Sequence, residues 1–145
     1  MKRRLEIKAR YSTKVLPLKS RATYVDYPNI SVVFKNPETG VMDAITHDFL
    51  IDTGASICIV NSRSANFLKT LTPIDEVPIV YGSGGAKPCP VYKIIMIMSG
   101  REVLVKVAFD DRCNYQVLGH YDFFEKMKYS LFDSYDKKTL LVKDI

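Results

Sequence analysis

Three short stretches of this chain carry residues that could do chemistry. The first is FLIDTGASICIV, residues 49–60, where large apolar residues flank Asp52-Thr53-Gly54-Ala55. An ionised carboxylate among apolar side chains costs free energy unless something holds it, so the stretch raises two questions: what holds Asp52, and whether one carboxylate can act alone. The second is the glycine-rich run Tyr81-Gly82-Ser83-Gly84-Gly85, and the third is Val117-Leu118-Gly119. The remaining reactive residues point nowhere in particular. Cys58, Cys89 and Cys113 are odd in number and fit no zinc spacing, which reads as free thiols in a reducing compartment. His47 and His120 lie far apart in sequence, and neither a metal site nor Cys/His catalysis is expected.

The elements that must position these residues are short, β-branched and punctuated by turn residues. NISVVF (29–34) runs into KNPETG (35–40), a turn in which Pro sets φ and Gly permits φ > 0. VMDAITHDFLI (41–51) then returns as a strand, so a hairpin delivers the chain to Asp52, and ICIV (57–60) continues as strand. SRSANFLKTL (62–71) suits a helical turn or a loop. VPIVYGSGGAKPCPVYKIIMIM (77–98) has strand signals on both sides of its glycines and reads as a long hairpin. In SGREVLVKVAF (99–109), Val103, Val105 and Val107 alternate with Leu104, Lys106 and Ala108, the period of a half-buried strand. YQVLG (115–119) is a further short strand. A helix is expected from Asp122, with Asp122 as N-cap, Glu125 reaching back in a variant capping box, and Phe123, Phe124 and Met127 on its buried face. The tail folds back as two strands around a polar turn. Many short strands and one short helix make a mostly β domain.

The three chemistry-bearing stretches, in this order and at these separations, resemble the retropepsin-like aspartic proteases, the single-lobe relatives of pepsin. That family's catalytic loop is Asp-Thr-Gly-Ala after two apolar residues, matched by Leu50-Ile51-Asp52-Thr53-Gly54-Ala55. Its flap is a hairpin with a Gly-x-Gly-Gly tip, matched by Gly82–Gly85, and its second signature is two apolar residues and Gly, matched by Val117-Leu118-Gly119. The resemblance covers about residues 29 to 143 and implies a closed β fold with one lobe per chain. It also implies an aspartic endopeptidase, in which water is activated between two carboxylates, one ionised and one protonated. Two such groups about 3 Å apart share one proton and titrate together. The chain offers Asp52 alone for that role: Asp110 and Asp111 belong to a charged loop, and Asp122 to a cap. The implied partner is therefore a second copy of the chain, in a symmetric homodimer. The resemblance further implies that Thr53 bonds across the dimer axis and that the Gly54 N–H bonds the carboxylate. Ala55 replaces the Ser or Thr of pepsin-type loops, which removes a donor and predicts a weakly acidic working pH. The flap, with Tyr81, Gly82, Ser83, Gly84 and Gly85, would cover an extended peptide, with Ala55 also beside the substrate. The competing function is a catalytically weak dimerisation or peptide-binding module on the same fold.

Two departures concern the dimer. Retroviral members follow the second signature with Arg, which braces the interface; here His120 stands in that place and would supply an ion pair when protonated, against the plainer reading of an exposed loop histidine. The front of the chain is also longer. Its 145 residues divide into a basic extension, 1–28, and the protease-like domain, 29–145. The net charge of +5 owes much to that extension. A basic arm can attract nucleic acid, though a solvated terminus has the same composition. No apolar run is long enough to span a membrane and the start lacks the apolar core of a secretory signal, so a cytoplasmic protein without cofactor or metal is expected.

Overall fold

The computed structural model describes residues 4–17, 22–80, 85–127, 129–133 and 138–144. Ten strands follow one another as β1 Arg4–Pro17, β2 Ala22–Lys35, β3 Met42–Ile51, β4 Cys58–Val60, β5 Asp75–Val80, β6 Ala86–Met98, β7 Arg101–Phe109, β8 Gln116–Leu118, β9 Tyr129–Asp133 and β10 Lys138–Asp144. They hydrogen-bond in the order β5-β6-β7-β4-β8-β3-β2-β1-β10-β9, and β6 also pairs with β2. That extra pairing, Val33↔Ile97 through Lys35↔Ile95, closes the middle of the sheet on itself. The protein is thus mostly β and closed.

The turns follow their sequence chemistry. Asn36 is buried, and its Oδ1 accepts from the N–H groups of Glu38 (2.9 Å) and Thr39 (3.1 Å), while Gly40 takes the φ of +73° that ends the β2–β3 turn. At the β6–β7 hairpin, Met98 pairs with Arg101 and both Ser99 and Gly100 have positive φ, as a two-residue turn of the type I′ kind requires. Pro88 and Pro90 fall in the part of β6 that has β5 as its neighbour but not yet β7, where a missing N–H costs least.

Alternation decides the interior. In β7, Val103, Val105 and Val107 are buried in the main core together with Ile94, Met96 and Met98 of β6, with Met96 opposite Val103 and Ile94 opposite Val105. Cys89, Val91 and Ala108 lie on the opposite face of the same pair of strands and join Ile57 and Ile79 in a second, smaller cluster. In β3, His47, Phe49 and Ile51 point inward. His47 stacks on Phe34, with ring centroids 4.2 Å apart, and its ring nitrogens meet Asp43 (2.8 Å) and Gln116 (3.3 Å). The Gln116 carbonyl oxygen accepts from the Asn61 N–H, so its amide nitrogen faces His47 as donor and the Asp43 side carries the ring proton.

Of the two readings of 62–71 the helical one holds, over residues 62–68: a 3₁₀ turn, Ser62–Ser64, leads into the helix α1, Ala65–Leu68. The helix expected from Asp122 shortens to one 3₁₀ turn, Phe124–Lys126. Asp122 has a φ of +63°, and its carboxylate serves the Lys106 N–H (2.7 Å) and the Lys126 ammonium (3.0 Å) instead of capping a helix. Half of the capping box survives, since Glu125 Oε1 accepts from the Asp122 N–H at 2.6 Å. Phe123 and Phe124 are buried as expected, and Met127 packs beside them. Toward the front, β2 runs unbroken through the expected boundary at residues 28 and 29, and the first half of β1 pairs with β10.

Candidate active site

Asp52 follows directly on β3. Because Ile51 points inward, the next side chain emerges outward, and Asp52 is exposed. It begins a tight turn closed by the Ala55 N–H on the Asp52 carbonyl (3.2 Å). Within that turn the Gly54 N–H donates to Asp52 Oδ1 at 2.9 Å. A Cβ at residue 54 would come 3.2 Å from the same oxygen, a tight approach to the end of the Asp52 side chain. Among the described residues no other carboxylate hydrogen-bonds Asp52.

The Val117-Leu118-Gly119 stretch clamps this loop. β8 lies between the strand that enters the loop and the strand that leaves it: Leu50↔Val117 and Ile51↔Leu118 are parallel pairs with β3, and Ile59↔Val117 is an antiparallel pair with β4. The Asp52 N–H donates to the Leu118 carbonyl (3.1 Å), the His120 N–H to the Ala55 carbonyl (3.0 Å), and the Tyr121 N–H to the Ser56 carbonyl (2.8 Å). Gly119 sits where the two backbones meet. A Cβ on it would lie 2.5 Å from the Ile57 carbonyl oxygen and 2.8 Å from that of Ala55. Its N–H faces the Cys58 sulfur at 3.4 Å, and burial pushes the Cys58 thiol up to about 12.

His120 does more than the sequence disclosed. Its ring is exposed, yet Nε2 reaches the Thr53 carbonyl at 2.5 Å and the ring edge packs on Phe124. A carbonyl accepts, so the ring nitrogen there carries hydrogen. His120 therefore braces the Asp52 loop within its own chain. Nothing local in the sequence marked this, since the two residues are 67 apart.

Beside the loop is a cleft of about 810 Å³. Gly54, Ala55 and Ser56 form one side, and β5, including Val77, Ile79 and Val80, forms the other. Ile57 and Ile59 line it as well, so the second apolar cluster forms much of its wall. Lys106 and Tyr121 close one part of it; the Tyr121 hydroxyl, 3.4 Å away, helps hold the Lys106 ammonium above its ordinary value. Tyr81, Gly82, Ser83 and Gly84 lie outside the described residues. Gly85 is described, with a φ of +71° that suits glycine where the chain enters β6. The loop and the 75–98 hairpin are thus brought to one cleft, and the 117–119 stretch supports the loop from behind.

The three cysteines are free thiols, and no group of three or more His, Cys, Asp or Glu side chains able to hold a metal occurs among the described residues. Among these residues no helix is long and apolar enough to cross a membrane.

No protein-family model matches the chain, and no curated protein matches it in sequence. Solved structures do match. A retropepsin-like aspartic protease from Rickettsia conorii aligns at 14% identity over 99% of this chain and 95% of that one, with a TM-score of 0.59. An inhibitor complex of EIAV protease aligns at 19% identity over 64% of this chain and 81% of that one, with a TM-score of 0.45. A foamy viral protease–reverse transcriptase aligns at 21% identity over 70% of this chain and 13% of that one, with a TM-score of 0.46. The Rickettsia likeness establishes the fold, and at this identity the fold alone: the chain has the retropepsin-like architecture of one lobe per chain. The two viral likenesses, at lower TM-scores, add no argument.

Proposed function

We propose that this chain is an aspartic endopeptidase that works as a homodimer. The observation that carries the reading is the exposed Asp52 carboxylate, held by the Gly54 N–H on a loop clamped by β8 and set beside a cleft whose isoleucines and valines are joined by Asp75, Glu76 and Lys106. One copy provides one such carboxylate. A second copy across a two-fold axis would bring its Asp52 alongside, with one proton shared between them. The ionised partner takes a proton from water, whose oxygen adds to the peptide carbonyl carbon. The protonated partner donates to the carbonyl oxygen. Collapse of the resulting diol breaks the C–N bond: the amine leaves with the proton first taken from water, and one diol hydroxyl returns its proton to the carboxylate that had donated, which leaves a carboxylic acid and restores the singly protonated dyad.

The other residues follow from that arrangement. Thr53 would bond across the axis and lock the two loops together. Gly54 fixes the carboxylate. Ala55 lacks the hydroxyl that Ser or Thr would offer at that position, which would set a weakly acidic working pH, and it would face the substrate. Tyr81, Gly82, Ser83, Gly84 and Gly85 would cover an extended peptide and bond its backbone as an added strand. The isoleucines and valines of the cleft favour apolar substrate side chains. Neither metal nor organic cofactor is required, and a cytoplasmic location suits three free thiols.

The test is cleavage of a denatured protein substrate between pH 3 and 7 by the wild type and by Asp52→Asn, with sedimentation of both. The reading expects cleavage with a weakly acidic optimum, lost in Asp52→Asn, from a dimer in both cases. Equal cleavage by the two forms would remove Asp52 from the mechanism. A peptide-binding dimer without cleavage would identify a binding module instead.

A further inference from the structure

The loop between β7 and β8 contains an ion pair between a buried carboxylate, Asp110, and the partly exposed Arg112, which the catalytic scheme does not use. Asp110 is 1% exposed. Its carboxylate accepts from Arg112 three times: from the backbone N–H, from Nε and from Nη2, each at 3.0 Å. This is a planar fork meeting a carboxylate with both of its arms, a geometry that lysine cannot reproduce. The guanidinium has further N–H groups, and they cross to the hairpin. Nη2 donates to the Ile79 carbonyl at 2.9 Å and Nη1 to the Gly85 carbonyl at 3.4 Å. Ile79 is near the end of β5 and Gly85 immediately precedes β6, so one side chain holds both sides of the hairpin's neck. Next to it, Lys87 of β6 pairs with Asp111 at 2.6 Å.

The same loop is tied to the end of β4, the strand that leaves the Asp52 loop. The Asp110 N–H donates to the Val60 carbonyl (3.0 Å), and Asn61 Nδ2 donates to the Cys113 carbonyl (3.1 Å). Three residues beyond Cys113 begins β8, whose Leu118 carbonyl receives the Asp52 N–H. A hydrogen-bonded connection therefore runs from Asp52, through β8 and the 110–115 loop, to the wall of the cleft.

We propose that Arg112, held by Asp110, is a positioning residue that fixes the β5 wall and the neck of the 75–98 hairpin at a set distance from Asp52. A buried carboxylate orients the guanidinium, and the guanidinium orients two backbone carbonyls. The hairpin would otherwise be held on one side alone, because β5 is an edge strand of the sheet. An edge strand over a cleft needs such a brace if extended peptides are to find the same geometry at every turnover. The role in turnover rests on the endopeptidase reading; the brace itself does not.

The experiment compares the full-length wild type with Arg112→Lys and Arg112→Ala. Three quantities are read: amide hydrogen exchange, the thermal midpoint, and KM and kcat on an extended apolar peptide. Exchange should accelerate at least tenfold at the amides of Ile79, Val80, Ala86, Lys87 and Cys89 in both variants. It should stay within twofold at residues 103–108 of the core. KM should rise about tenfold with kcat changed less than threefold, the pattern of lost ground-state positioning. Arg112→Lys keeps the charge opposite Asp110, so it should show the local acceleration with a smaller fall in thermal midpoint than Arg112→Ala. Unchanged exchange at the hairpin overturns the brace. Acceleration spread evenly through the core reduces it to ordinary stability. Local acceleration with an unchanged KM overturns the positioning role. If the wild type does not cleave, the endopeptidase reading falls, while the exchange measurement still decides the brace.

Discussion

Replacing Gly119 by Ala should disable the site while leaving the chain folded. The added Cβ would stand 2.5 Å from the Ile57 carbonyl oxygen, 2.6 Å from the Ile57 carbonyl carbon and 2.8 Å from the Ala55 oxygen. All three are backbone atoms, so no side chain can swing aside. A carbon and a carbonyl oxygen settle at about 3.3 Å or more, so the 55–57 backbone must retreat by roughly 0.8 Å. Crowding of this kind costs about 1–3 kcal/mol. The His120–Ala55 and Tyr121–Ser56 hydrogen bonds would stretch in the process, and each contributes about 0.5–1.5 kcal/mol. Partial loss of both brings the total to about 2–4 kcal/mol. For a domain of this size that lowers the thermal midpoint by about 5–15 °C. The effect on turnover is larger in proportion, because a displacement near 1 Å in a catalytic loop costs about a hundredfold. Gly100→Ala is the control. Gly100 has a φ of +71° with nothing within 4 Å of its missing Cβ, so the change costs about 1–2 kcal/mol of backbone strain and leaves the cleft alone. The assay is calorimetry, together with peptide cleavage at a temperature where all three proteins are folded. If Gly119→Ala keeps kcat within twofold of wild type and its midpoint within about 2 °C, the claim that this glycine seats the Asp52 loop is wrong.

Three further outcomes follow from individual contacts. His120→Phe keeps the packing on Phe124 but loses the donor to the Thr53 carbonyl; it should cost about 0.5–1.5 kcal/mol and lower kcat more than it raises KM, whereas an unchanged kcat would show that the bond does not position the loop. Arg112 hydrogen bonds hold Asp110 below its ordinary value of 3.8, so the ionised carboxylate stabilises the fold in full above that value and the contribution is lost as pH falls through the depressed one. The midpoint deficit of Asp110→Asn should accordingly be steady from pH 5 to 7 and shrink below about pH 4, and a deficit that persists to pH 2.5 would contradict the linkage. Cys58, buried with its thiol raised to about 12, and the fully buried Cys89 should resist a disulfide reagent at pH 8 until the chain unfolds, while the half-exposed Cys113 reacts first; rapid native labelling of Cys58 would contradict its burial.

Much of the fold was legible because its signals are local. The Pro and Gly of residues 36–40 announce a turn, and Val103, Val105 and Val107 announce the buried face of β7 whatever else the chain does. The Asp52 loop was legible through its glycines, and at residue 119 the structure makes the backbone reason for one of them explicit. What could not be read depends on partners distant in sequence. The capping pattern at Asp122 was real, since Glu125 does reach back, but the Lys106 N–H, 16 residues away, claims the carboxylate that a helix would have used. His120 looked like a loop histidine because Thr53 lies 67 residues away. FDDRCN looked like a charged loop because nothing in it reveals that Arg112 reaches carbonyls 33 and 27 residues earlier. The closure of the sheet by β2 and β6 is a further case: neither strand carries a mark of the other.

The most direct test of the central claim is a mixing experiment. Wild type and Asp52→Asn are co-refolded at a fixed total concentration, and cleavage of a denatured protein is measured against the fraction of wild type. If each site needs Asp52 from both chains, the rate follows the square of that fraction, and an equal mixture retains about a quarter of the wild-type rate. If one chain suffices, the dependence is linear and an equal mixture retains about half, which would contradict a dyad shared across the dimer.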